Sequence, residues 1–103
     1  PGVKASKSLT IIMGEDNKLF WYIGLTNEPI EGPIGTNYTA DGIRKVLLEK
    51  NATIQDMVVL IKPADKSVYK NVVDILDEMN ISNIKRYALV EITPEALDLI
   101  KNL

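Results

Sequence analysis

A chain of 103 residues with a net charge of −2 and a pI near 5.1 is sized for one domain and carries no basic footprint for nucleic acid. Hydrophobic residues make up 46 %, enough for a core, while the absence of cysteine and histidine excludes disulfides and thiol chemistry and removes the commonest general base and zinc ligand. No apolar run approaches the roughly 18 residues of a membrane span, and no signal peptide is visible.

The chain starts Pro1-Gly2 without a methionine, so a trimmed piece of a longer protein is expected. Residues 1–7 read as a loosely held arm and residues 8–103 as a single domain. Residues 8–14 (SLTIIMG) and 19–24 (LFWYIG) have strand composition, and the turn formers Glu15-Asp16-Asn17-Lys18 join them as a hairpin. Residues 25–38 (LTNEPIEGPIGTNY) hold prolines, glycines and asparagines without a period, which predicts an extended loop. Its length implies either a task or mobility.

Thr39 is placed to cap a helix over residues 40–50, with Ile43, Val46 and Leu47 inward and Arg44, Lys45 and Glu49 toward water. Residues 57–61 (MVVLI) are a short apolar run, read as a strand that Lys62-Pro63 ends because proline donates nothing to a ladder. Ser67 then caps a helix striped by Val68, Val72, Ile75, Leu76 and Met79, with Asn80 suited to close it and Asn83 to a turn. Residues 86–92 (RYALVEI) form the next strand, parallel to the previous one through the helical crossover. Thr93, with Pro94 in first position, starts a last helix whose apolar side is Ala96, Leu97, Ile100 and Leu103.

The expected fold class is therefore α+β in two layers. A mixed four- to five-stranded sheet in the order β-β-α-β-α-β-α carries its two main helices on one face. That arrangement leaves apolar residues over. The 57–61 strand is apolar on both faces, Phe20, Trp21 and Tyr22 must alternate sides, and so must Ile11 and Ile12. Either the last helix covers the second face or that face is an association surface.

Catalytic signals are weak. The serines have no histidine to activate them and none lies in a G-x-S-x-G elbow. Gly32-Pro33-Ile34-Gly35 lacks phosphate-loop spacing. Glu15-Asp16 reads as a solvated hairpin tip, and Asp74, Asp77 and Glu78 as a solvated helix face rather than a metal set. No catalytic, cofactor-binding or metal-binding residue is expected. The end of the sheet at residues 62–67 is where open α/β sheets hold ligands, so Lys62, Asp65 and Ser67 carry the alternative of a small-molecule-binding regulatory domain against that of a plain turn.

The run from Ile61 to Val90 resembles the ExbD/TolR family of biopolymer-transport proteins: an apolar strand, Ala64-Asp65-Lys66, a helix with Val72, Val73, Asp77 and Met79, a short turn and the strand Lys85 to Val90. What the resemblance implies is the periplasmic domain of a single-pass inner-membrane protein of a Gram-negative bacterium. Such a domain is the non-enzymatic accessory subunit of a proton-motive-force-driven motor energising TonB- or Tol-dependent transport. Its implied partners are a second copy, an ExbB/TolQ-like channel subunit reached through a membrane helix not present in this chain, and a TonB- or TolA-like protein. Residues 1–7 would be the tether to that helix and would pair with a sheet edge in one functional state. The positions expected at a dimer or partner surface are Val3, Ala5, Ile11, Phe20, Tyr22, Tyr87 and Leu89.

Overall fold

In a computed structural model that describes residues 4–64, 69–101 and 103, the chain folds around a five-stranded mixed sheet in the order β3-β2-β1-β4-β5. The strands are β1 (Ser8–Met13), β2 (Leu19–Leu25), β3 (Glu28–Thr36), β4 (Val58–Pro63) and β5 (Tyr87–Leu89). The helices are α1 (Lys45–Thr53), α2 (Tyr69–Ile81) and α3 (Pro94–Ile100). The α+β class and the mixed sheet agree with the sequence. Within that class the element order differs from the expected β-β-α-β-α-β-α: the segment 25–38, expected as a loop, holds a turn and the edge strand β3, and the strand expected over 86–92 is confined to β5 (Tyr87–Leu89).

β1 and β2 pair antiparallel from Leu9 opposite Ile23 to Met13 opposite Leu19. Their turn works because Asp16 and Asn17 both accept left-handed backbone, at φ 56° and 61°, and the Lys18 amide donates to the Glu15 carbonyl at 3.1 Å. β1 then pairs parallel with β4, and β4 with β5. β1 is buried along its whole length because it is the central strand, with helices over both faces. β4 continues through Pro63, past the expected stop at Lys62-Pro63, since the ladder needs nothing further from the Pro63 nitrogen at the strand's end.

The period-two alternation sorts the side chains into two cores. On one face Leu9, Ile11, Met13, Trp21, Val59 and Ile61 meet Ile43 and Leu47 before and within α1, and Ile75 and Met79 of α2. On the other, Ile12, Phe20 and Tyr22 meet Ala96 of α3, with Ile92, Leu99 and Ile100 around it. The last helix thus covers part of the second face, as one of the two expectations had it.

Helix ends differ in detail from the sequence reading. Residues 40–44 form a π-type turn ahead of α1, because Gly42 departs from helical backbone; the Thr39 hydroxyl donates to Asn37 Oδ1 at 2.6 Å instead of capping. Asn83, not Asn80, takes the left-handed position that closes α2, at φ 58°. Its amide and that of Ile84 satisfy the Asn80 and Met79 carbonyls, a 5→2 and 6→1 pair. α3 begins as expected, with the Thr93 hydroxyl accepting from the Ala96 amide at 3.3 Å and Pro94 in the first turn. Ser67 and Val68, expected at the start of α2, lie outside the described residues.

Candidate functional site

A sheet open on two sides presents two rows of main-chain donors and acceptors, and the two rows here are unlike. β3 is the longer edge, at 9 residues, but it is a poor template. Pro29 and Pro33 donate nothing, Gly32 sits at φ 84°, and the β2–β3 register shifts twice. Glu28 and Glu31 add charge, and Glu31 is held by Lys50 of α1 at 2.7 Å while the same ammonium lies 5.4 Å from the centre of the Trp21 ring. Ile30 and Ile34 are exposed on this strand, yet the broken backbone beneath them offers no continuous ladder.

β5 is the open edge. The Val59 amide donates to the Arg86 carbonyl at 3.0 Å and the Val90 amide to the Ile61 carbonyl at 2.8 Å. Peptide groups alternate sides along a strand, so Arg86, Ala88 and Val90 turn theirs to β4 while Tyr87 and Leu89 turn theirs outward. Tyr87 and Leu89 stand opposite Val59 and Ile61, hence on the face that α2 covers. They are nonetheless 39 % and 52 % exposed, because among the described residues no strand follows beyond them. The whole run from Lys85 to Glu91 is exposed.

The charges flanking β5 are complementary to themselves. In an antiparallel pair of two β5 strands centred on Ala88, Tyr87 of each copy meets Leu89 of the other and Lys85 meets Glu91. All four are outward-bonding positions, so the backbone alternation and the charge pairing fall in one register. Centring on Tyr87 or Leu89 would lose the Lys85–Glu91 match.

The other residues expected at a partner surface are placed elsewhere. Ile11 is fully buried in the core under α1 and α2, and Phe20 and Tyr22 are buried under α3, where the Tyr22 hydroxyl bonds Thr26 Oγ1 at 2.6 Å. In this chain their side chains pack the monomer. Ala5 lies in a single 3₁₀ turn, Ala5–Lys7, beside the start of β1, and Val3 lies outside the described residues. Of the seven, Tyr87 and Leu89 come together on exposed backbone.

A second feature lies at the carboxyl ends of β1 and β4. A cleft of about 500 Å³ opens there between α3 and the β1–β2 turn, with Phe20, Leu97, Ile100 and Leu103 as its apolar wall and Glu15, Lys18, Asp98 and Lys101 at its rim. Ala64 reaches it; Lys62 is buried in β4, and Asp65 and Ser67 lie outside the described residues. The alternative of a ligand site falls at this end, but the sequence did not show α3 as its wall, because cover of the second face by the last helix did not fix which end of the sheet it crosses.

The polar groups buried elsewhere serve packing. Glu78 is buried, not solvated as its place among Asp74 and Asp77 suggested, and receives both Arg44 Nε at 2.8 Å and Nη2 at 2.9 Å. That hydrogen bond and charge raise the Arg44 guanidinium further above its already high range. Tyr38 has its phenol pushed up to about 12, first by burial and second by the negative charge of Asp74. Among the described residues there is no cluster of acidic side chains able to hold a metal ion, and no helix is long and apolar enough to cross a membrane. Comparison with protein-family models, curated proteins and solved structures finds no match to this chain.

Proposed function

We propose that this chain is a periplasmic coupling domain of the ExbD/TolR type, working by self-association and partner binding at the β5 edge rather than by catalysis. The observation that carries the reading is the self-complementary run from Lys85 to Glu91, whose outward peptide groups at Tyr87 and Leu89 are bonded by none of the described residues and are flanked by opposite charges. The resemblance between Ile61 and Val90 supplies the cellular setting: a single-pass inner-membrane parent, an ExbB/TolQ-like channel subunit and a TonB- or TolA-like partner. A pairing edge suits such a task, since it transmits force through main-chain hydrogen bonds and needs no reactive side chain.

Charge reversal tests it. Sedimentation of Lys85→Glu or Glu91→Lys should show loss of the dimer, because like charges then face each other across the dyad. The double swap, Lys85→Glu with Glu91→Lys, should restore it. Both sites are exposed, so the fold is retained in each. In the membrane-anchored parent the same three variants should lose, lose and regain TonB- or Tol-dependent uptake. Failure of the double swap to rescue would contradict the proposal.

A second reading, a small-molecule-binding regulatory domain, rests on the cleft between α3 and the β1–β2 turn. A thermal-shift series with anionic metabolites distinguishes it, since a ligand held there raises Tm and Phe20→Ala or Lys101→Glu removes the rise.

A further inference from the structure

Resting on the reading of β5 as a pairing edge, we infer that the second copy is a cap on the partner site: an extended segment of another protein docks on β5 only by displacing it. The inference comes from the asymmetry of the two sheet edges. If both were open, a chain could hold its copy on one and a partner strand on the other. β3 is closed to strand addition by Pro29, Pro33, the left-handed Gly32 and the tethered Glu31. Among the described residues one edge remains per chain, and its outward groups at Tyr87 and Leu89 serve a single strand.

The same edge states what kind of segment replaces the copy. A strand laid antiparallel on β5 meets Glu91 first and Lys85 last along its own direction. It therefore carries a basic residue, then apolar residues at alternate positions opposite Leu89 and Tyr87, then an acidic residue. Side chains at those apolar positions fall on the face covered by α2, beside Val59 and Ile61. The β5 run itself, Lys-Arg-Tyr-Ala-Leu-Val-Glu, has this pattern, which is why a copy and a partner compete. Coupling to the partner is thereby linked to the monomer–dimer balance: whatever brings two copies together at high local concentration raises the threshold for capture.

The probe is a fluorescent peptide with the sequence of residues 85–91, read by anisotropy against the full chain and against an Ala88→Cys chain joined through that cysteine. The peptide should bind the free chain, its apparent affinity should weaken as protein concentration drives dimerisation, and the joined dimer should bind at least tenfold more weakly until reduced. A peptide with its terminal Lys and Glu exchanged should bind several-fold more weakly. Equal binding to joined and reduced chains would overturn the exclusion. A chain that stays monomeric at every concentration yet binds the peptide would overturn the capping while separating that failure from failure of the edge itself. No binding to either form would overturn strand capture at β5, and the charge-swap dimer would then stand alone.

Discussion

Arg44, in the turn ahead of α1, grips Glu78 of α2 through two parallel hydrogen bonds of 2.8 and 2.9 Å, closing the layer of helices over the sheet. The carboxylate is 7 % exposed and the guanidinium 32 %, so the two partners are unequal. Removing the arginine strands a buried charge, whereas removing the glutamate leaves an arginine that water can reach. Arg44→Leu should therefore lower Tm more than Glu78→Leu does, and the double replacement should recover part of the loss. Thermal melts of the three variants at neutral pH check this ordering.

Gly32 holds β3 against β2 in backbone that a side chain cannot share. Its φ is 84°, and a Cβ there would lie 2.6 Å from the Trp21 carbonyl oxygen and 3.1 Å from the Tyr22 Cα. The neighbouring atoms are backbone of a buried strand and cannot give way. Gly32→Ala should cost about 1–3 kcal/mol in urea unfolding. The accompanying loss of hydrogen-exchange protection should be concentrated along β2 and β3, leaving β4 and β5 unaffected.

Tyr38 packs against the first core with its hydroxyl buried and without a hydrogen-bond partner among the described residues. Replacing it by phenylalanine removes an unsatisfied polar atom, so Tyr38→Phe should be neutral or stabilising by up to about 1 kcal/mol near neutral pH. The raised phenol adds a pH signature. The unfolded chain releases this proton near 10.0 and the folded chain only near 12, so above the lower value the unfolded state is favoured. Native stability should fall between about pH 10 and about pH 12, and the variant should lack that component, which is about 1 kcal/mol or less after screening at this half-buried site. The difference between the two urea-denaturation series isolates the Tyr38 contribution.

How far the sequence disclosed the fold follows from which signals are local. The strand composition of β1 and β2, the 3.6-residue stripe of α2 and the Thr93-Pro94 start of α3 are written in neighbouring residues, and the structure has them. β3 was hidden because Pro29, Gly32 and Pro33 are the residues that spoil a strand pattern, and an edge strand bent by a register shift tolerates all three. Arg44 with Glu78, and the wall that α3 gives the cleft, join residues far apart in sequence, which no window of one element contains. At the candidate edge, Tyr87 and Leu89 were named from the sequence, but Phe20, Tyr22 and Ile11 were named beside them. Large apolar side chains look alike whether they fill a monomer core or an interface, and only the placement of α3 over Phe20 and Tyr22, and of α1 and α2 over Ile11, separates the two.

The central claim is that two β5 strands pair antiparallel about Ala88. The native chain has no cysteine, so a single introduced one reports on one contact. In the proposed pair Ala88 would face its own copy at a position not bridged by main-chain bonds, with Cα atoms about 4.5 Å apart, within reach of a disulfide. Tyr87 and Leu89 each face the other residue type, so like positions are offset by two residues and fall outside that reach. Mild oxidation followed by non-reducing electrophoresis should give a covalent dimer from Ala88→Cys and none from Tyr87→Cys or Leu89→Cys. Cross-linking equally strong at position 89, or a dimer in sedimentation that Ala88→Cys fails to trap, would contradict the account.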